Sequence, residues 1–371
     1  MEYINKNNYQ ELKNMINNKY YNNILVVAGK KSFFKSGASA IIQKLIKKKN
    51  YFFFFKEQNL PEVFDLKKLI NILLKHKIEL IIAVGGGGVL DLAKSANVLT
   101  YEKNLEKKIT FGNYKATKRF CDLIAIPTTA GSGAEVTTNS VIYIKKNKFS
   151  IEDKSVKPNH SFLFPKLVLS NSNITKFASA FDAMAQSIES ILSVKSTAES
   201  IRFAKKSLKI FISKYKIYCV SRSLDSTYQM SLCAYYSGKA ISISKTTAPH
   251  ALSYPFTSYF NIPHGHAVSL TLNEFIKFNY KNLKSCIGNF NLLERYNILF
   301  KIFQVKNIDE LLTILESVEK SFNLERNLKK LNKKIIPNLN LIVGSVNEQR
   351  LKNNPVKIRK KDIFNILYNK I

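Results

Sequence analysis

The fold class this sequence predicts is an α/β amino-terminal domain, doubly wound around a mostly parallel sheet, followed by an all-helical carboxyl-terminal domain. Two observations carry that expectation. Short β-rich apolar runs alternate with helix-spaced segments through the first half of the chain, and most of those runs end at glycine or proline. From about Ser179 onward, long helix-spaced stretches take over and clear strand signals stop.

Residues 24–28 (ILVVA) read as the first strand, which ends at Gly29, and helical spacing follows from Ser36 to about Lys48. Residues 51–55 form the second strand, ahead of a loop with Pro61 and a helix pattern over 63–77. The third, residues 80–84, runs into Gly85–Gly88 and a helix beginning near Val89. Residues 123–126 end at Pro127 and the loop TTAGSGAE, after which 136–144 read as a further β segment. Residues 181–192 and 198–213 are helical by spacing. The expected division is therefore a nucleotide-binding domain over 1–177 and a helical metal and substrate domain over 178–371. No Gly/Ser-rich linker marks the join, so a shared cleft is expected.

A chain of 371 residues, 45% of them hydrophobic, can bury a sizeable core, and disorder is excluded on composition. The net charge of +32 points toward nucleic acid or an anionic membrane only until its makeup is read. Just seven of the 58 basic residues are Arg, and the Lys runs at 47–49, 329–330 and 333–334 are scattered. Nucleic-acid surfaces favour Arg and concentrate their charge, so no nucleic-acid partner is expected. No apolar run approaches the roughly 18 residues of a membrane span, and the opening MEYINKNNYQELK lacks the apolar core of a signal peptide. A cytoplasmic protein without a membrane partner is expected. Cys121, Cys219, Cys233 and Cys286 form no CxxC pair and lie outside every motif below, which argues for reduced thiols and against thiol catalysis.

Two loops suit a phosphate. Gly85–Gly88 stand between a buried strand and a helix, where a missing Cβ lets a pyrophosphate approach the amides of the helix N-terminus. Thr128, Thr129 and Ser132, interleaved with Gly131 and Gly133, follow the next strand, at the edge where doubly wound folds bind their ligands. A second cluster suits a metal. Three of only five His, namely His250, His264 and His266, fall within seventeen residues, and Asp182 and Gln186 share one helical face at i, i+4. Imidazoles near a carboxylate suit Zn²⁺ or Fe²⁺.

The pair GGGGVLDLAK and IPTTAGSGAEVT resembles the GGGSxxDxAK and PTTAGTGSE signatures of the iron-containing alcohol dehydrogenases, whose superfamily includes dehydroquinate synthase. The resemblance runs from about residue 24 to the NNPVKI segment, with Gly88 and Ala134 replacing family Ser residues. It implies a nicotinamide cofactor held by Gly29, Lys30, Gly85, Gly86, Gly87, Gly88, Asp91, Thr128, Thr129 and Ser132, and a divalent metal, Fe²⁺ or Zn²⁺, at the interdomain cleft. Many NAD-using relatives end the first strand in Asp; here Gly29 is followed by Lys30 and Lys31, which favours NADPH over NADH. The family ligand set Asp-x-x-x-His plus two later His carries over to Asp182, His250 and His264, while Gln186 stands at the place of the usual His. Where many relatives carry a relay His, four residues after the first of those later ligands, this chain has Tyr254; His266 is the alternative relay. A homo-oligomer is expected by analogy.

The combination DAMAQSIES, KTTAPHALSYP and IPHGHAV looks most like the phosphonoacetaldehyde reductase branch. Lys245, with Thr246 and Thr247, is chemically suited to hold an anionic tail. The leading expectation is a metal-dependent NAD(P)H oxidoreductase that reduces a short anionic aldehyde to its alcohol, with phosphonoacetaldehyde and 2-hydroxyethylphosphonate as the specific pair. A cyclising lyase like dehydroquinate synthase, using NAD transiently, and a catalytically inactive nucleotide- or anion-binding protein, favoured by Gln186 and Tyr254, stay open as alternatives.

Overall fold

The computed structural model describes residues 1–18, 21–346 and 348–371. They form two compact units, one of Met1–Asn171 with Arg222–Ser231 and one of Ser172–Ser221 with Leu232–Ile371.

The first unit is built on the strands β1 (Glu2–Tyr3), β2 (Asn23–Gly29), β3 (Asn50–Lys56), β4 (Leu80–Gly85), β5 (Asp122–Pro127) and β8 (His160–Phe162), in the spatial order β1-β8-β5-β4-β2-β3. Every pairing in this sheet is parallel, including β4 with β5 (Gly85 opposite Pro127) and β2 with β4 (Ala28 opposite Val84). The alternation of side chains explains why both faces need cover. Leu25, Val27, Ile81, Ala83, Leu123 and Ala125 pack on one side against Leu66 and Leu69 of the Val63–Lys75 helix and Leu92 of the Gly87–Leu99 helix. Ile24, Val26, Leu80, Ile82, Ile124 and Ile126 pack on the other, against Phe33 and against Ile42 of the Ala38–Ile46 helix. Each such buried aliphatic contributes about 2 kcal/mol, so this core carries the loops at the sheet edge and leaves their residues available for chemistry.

The expected doubly wound architecture is present, with three differences in detail. The strands β1 and β8, of two and three residues, escape pattern reading because they are too short to show alternation. The segment expected at 136–144 is strand β6 (Asn139–Ile144), paired antiparallel with a strand the sequence did not disclose, β7 (Asn147–Glu152). Lys145 and Lys146 close that hairpin with φ of 48° and 66°, a left-handed turn usually announced by Asn or Gly, and two Lys give no such signal. The glycine-loop helix begins at Gly87, so Gly88 lies in its first turn.

Every named element among the second unit's described residues is a helix. Its first helix, Asn173–Leu192, starts eight residues before the expected Phe181, because Ser172 caps it by accepting from the Thr175 N–H. Helices Ala248–Phe260 and His264–Lys281 follow the long Ala198–Val220 and Leu224–Ser244 helices, and Leu252, Phe256, Leu270 and Phe275 pack with Ile342 and Ile363 in its core.

Candidate active site

The sheet edge of the first unit brings the two glycine-bearing loops together. Thr128 N–H donates to the Gly85 carbonyl at 2.9 Å. A Cβ at Gly87 would stand 2.6 Å from Ser132 Oγ, and one at Gly86 3.4 Å from the Thr129 side chain. The thirteen-residue Gly87–Leu99 helix has no side-chain cap on its N-cap Gly86, so its first amides are presented at a cradle that only glycine leaves open. Its donor set fits a dinucleotide pyrophosphate. Gly29 ends the neighbouring strand, with Lys30 and Lys31 exposed in the short helix after it.

Asp91 and Lys94 explain the rigidity of this edge. Lys94 is fully buried and donates to the carbonyls of Ala134 and Asn139, at 2.9 and 2.6 Å, and to Thr137 Oγ1 at 2.7 Å. Asp91 lies 3.6 Å from the ammonium and accepts from the Val141 N–H; burial raises its pKa, against the pull of Lys94 and Lys148. The helix is thus clamped to the chain that leaves the second loop. Lys94 escaped sequence reasoning because one Lys among so many carries no signal, although its place in DLAK beside the glycines was available.

In the second unit, Asp182, His250 and His264 converge: one ligand atom from each lies within 4.8 Å of the others. Asp182 Oδ1 is 3.0 Å from His250 Nε2 and 3.9 Å from His264 Nε2. A tetrahedral ion with bonds near 2.1 Å holds its ligand atoms about 3.4 Å apart, so the spacing fits. The far nitrogens fit as well. His250 Nδ1 meets the carboxylate of Glu189, which also accepts from Thr247 N–H and Oγ1 at 2.9 and 3.0 Å. Ser253 gives its hydroxyl proton to the His250 carbonyl at 2.7 Å, which leaves its oxygen to accept from His264 Nδ1–H at 3.4 Å. Both imidazoles are therefore turned so that Nε2 faces the shared carboxylate. Burial opposes charge on His250, but Glu189 and Asp182 outweigh it and push its pKa up to about 10, the response of a ring held between two carboxylates.

This convergence depends on one glycine. A Cβ at Gly265 would stand 1.8 Å from the Ala178 carbonyl oxygen and 3.0 Å from Asp182 Cβ. Only glycine lets the His264 helix approach the Asp182 helix this closely.

The other expected residues are placed as follows. Gln186 donates from Nε2 to Asp182 Oδ2 at 3.2 Å, and its Oε1 accepts from Ser237 at 3.0 Å. Coordination through that oxygen requires turning the amide over, after which its N–H can donate to Ser237 Oγ while the Ser237 hydroxyl donates to the Ala234 carbonyl at 2.9 Å. Tyr254 stacks on His264, with centroids 5.8 Å apart at 9°. His266 is two residues along the helix from His264, about 200° around it, and its Nε2 contacts the Glu325 carbonyl at 2.9 Å. Burial holds its pKa down. Lys245 follows the Leu224–Ser244 helix with φ of 61°, half-buried. Sequence reasoning passed over Glu189, Gly265 and Arg350, whose Nη1 donates to Tyr254 Oη at 3.2 Å. The i, i+4, i+7 spacing of Asp182, Gln186 and Glu189 was the available signal for the first.

A parallel sheet with a glycine-lined edge and a helical unit with a carboxylate–imidazole cluster together define a class, the two-unit metal-type dehydrogenases. The chain belongs to the iron-containing alcohol dehydrogenase family: residues 2–170 match the family described as iron-containing alcohol dehydrogenase, and residues 176–371 match its C-terminal region. It is similar to a phosphonoacetaldehyde reductase of Streptomyces viridochromogenes, 29% identical over 214 residues that cover 55% of this chain and 54% of that protein. A 4-hydroxybutyrate dehydrogenase of Clostridium kluyveri is 28% identical over 61% of this chain and 63% of its own length. The matched stretch thus spans little more than half of these relatives. Among solved structures, an iron-containing alcohol dehydrogenase of Thermotoga maritima superposes with a TM-score of 0.82 at 25% identity, over 100% of this chain and 97% of that one. A sulfoacetaldehyde reductase of Bifidobacterium kashiwanohense in complex with NAD+ shares the fold, with a TM-score of 0.86 at 24% identity over 100% of this chain and 96% of that one.

Proposed function

We propose that this chain is a metal-dependent NAD(P)H oxidoreductase that reduces a short anionic aldehyde to its alcohol, with phosphonoacetaldehyde as the substrate. The observation that carries the proposal is the Asp182–His250–His264 cluster with Glu189 behind it. Similarity to a phosphonoacetaldehyde reductase and a 4-hydroxybutyrate dehydrogenase, whose names both imply an anionic tail, supports the substrate class. In this reading residues 1–177 hold the cofactor and 178–371 the metal and substrate.

Asp182, His250 and His264 would hold the ion, Fe²⁺ or Zn²⁺, and Gln186 either orients Asp182 through its N–H or, turned over, would supply a fourth ligand through its amide oxygen. When bound, the ion supplies Lewis-acid polarisation of the carbonyl and NAD(P)H supplies the hydride. Glu189 and Ser253, at the Nδ1 atoms of His250 and His264, would leave each Nε2 free to bind the ion. Gly85–Gly88, Asp91, Thr128, Thr129 and Ser132 form the cofactor site, and Gly29 with Lys30 favours the 2′-phosphate of NADPH. Tyr254, against His264, is placed to hand a proton to the nascent alkoxide; His266 serves the relay only if it leaves the Glu325 carbonyl. Lys245 holds the anionic tail. The protein acts in the cytoplasm as a homo-oligomer; among the described residues no helix is long and apolar enough to cross a membrane.

The test is NADPH oxidation by protein loaded with Fe²⁺ or Zn²⁺, measured against phosphonoacetaldehyde and propanal. Net oxidation that is faster with the phosphonate is expected. Cofactor binding without net oxidation of NADPH by any aldehyde would contradict the reductase reading and favour the lyase or the inactive binder.

A further inference from the structure

We infer that Arg350 is the specificity-determining residue of this site, with a guanidinium that takes the tetrahedral oxyanion or carboxylate at the far end of the aldehyde. The inference rests on the reductase reading above and adds to it the residue that selects charge. Outward from the cluster the order is His264, Tyr254, Arg350: the Tyr254 ring stacks on His264, Arg350 Cζ lies 5.4 Å from the Tyr254 centroid, and Nη1 donates to its Oη at 3.2 Å. That hydrogen bond has a direction. Because Arg350 can only donate, Tyr254 Oη accepts from it, and the phenol's own hydrogen is the one it offers elsewhere. A short aldehyde with its carbonyl at the His264 side and its charge at the Arg350 side spans the tyrosine.

The lysine excess cannot account for this cation, since the chain has only seven Arg. Arg350 donates to the aromatic that stacks on a metal-ligand candidate. Its helix, Glu348–Leu351, is a single turn and cannot hold itself in place. Asn353 holds it, donating to the carbonyls of Ser244 and Thr246 at 3.0 and 2.7 Å while its Oδ1 accepts from Ser193 at 3.0 Å. The same amide therefore fastens the turn that carries Lys245 to the segment that carries Arg350. Of the two cations, the planar guanidinium fork matches an oxyanion in bidentate fashion, whereas an ammonium offers a point charge. Arg350 sets specificity in this account and Lys245 adds to it.

The experiment uses the metal-loaded full chain. Calorimetric titration with 2-hydroxyethylphosphonate, isethionate and 4-hydroxybutyrate compares wild type with Arg350→Met, Arg350→Lys and Lys245→Met. In parallel, KM is measured for phosphonoacetaldehyde, sulfoacetaldehyde, succinic semialdehyde and propanal. Arg350→Met is expected to weaken the best-bound anion at least about 30-fold and to raise KM for the matching aldehyde as much, with KM for propanal within about 3-fold. Arg350→Lys should fall between, and Lys245→Met should have the smaller effect. Which of the three anions suffers most identifies the tail. Unchanged anion binding in Arg350→Met, equal effects on propanal, or no binding of any of the three anions to wild type would each overturn the inference. Should Arg350→Met melt early, the Lys variant decides by the same criteria. Binding needs no turnover, so an Arg350-dependent anion site in a protein that oxidises no NADPH would refute the reductase reading alone.

Discussion

The glycine-lined edge of the first unit and the carboxylate–imidazole cluster of the second are assembled by opposite means. The edge is local: each loop follows its own strand, β4 and β5 are hydrogen-bonded neighbours, and the residues that matter stand within a few positions of one another. The cluster is not local. It needs a helix from the start of the unit, two imidazoles from later helices, and a glycine that permits contact between backbones. A site of the first kind should tolerate change gradually; one of the second should fail at a single atom.

Gly265→Ala is the sharpest way to break that contrast. The added methyl has no room against the Ala178 carbonyl and must push the His264 helix away from Asp182. Metal affinity should fall by about 100-fold or more, with NADPH binding in the first unit within about 2-fold. Equal loss at both would show that the two sites do not differ in this way.

A smaller effect, of the opposite sign, is expected at Glu135, in the loop of the first unit. Burial raises its carboxyl pKa to about 7, so between the unfolded value of 4.5 and 7 the folded chain retains a proton that the unfolded chain has lost. Its contribution to stability therefore declines as pH rises through that window and is constant above it, by about 3 kcal/mol in all. Glu135→Gln removes the penalty: the variant should gain on wild type in urea unfolding between pH 5 and pH 8, and a constant difference across that range would argue that the carboxylate is solvated.

The mildest prediction sharpens the description of the first unit. At Gly29 a Cβ meets the end of the Ser32 side chain at 2.9 Å and Val89 Cγ2 in ordinary contact at 3.6 Å, and the backbone is extended at φ −85°, so Gly29→Asp should fold normally. Placing an anion where the 2′-phosphate is proposed to bind should shift kcat/KM from NADPH toward NADH by about 10-fold. No shift would remove Gly29 and Lys30 from cofactor selection.

The same contrast explains what was legible in the sequence. Strands β2 to β5 show themselves through apolar runs buried on both faces, and the glycine and hydroxyl loops advertise their chemistry within a few residues. Histidine scarcity drew attention to His250, His264 and His266, and the family resemblance picked out Asp182, His250 and His264 as the ligand set. Glu189 was not singled out, because a lone carboxylate gives no local signal of an imidazole partner 61 residues away, although it lies one further turn along the same face. Arg350 is 96 residues from the tyrosine it touches, and no local pattern links the two. The β6–β7 turn was hidden because lysine occupies the left-handed positions that glycine or asparagine usually marks.

The most direct measurement is elemental analysis of the purified chain after loading with Fe²⁺ or Zn²⁺ and removal of excess ion, for wild type and Asp182→Ala. One ion per chain in the wild type, lost in the variant while NADPH still binds, is the expected result. A wild type that retains no ion, or a variant that retains as much as the wild type, would contradict the assignment of Asp182, His250 and His264 as a metal centre.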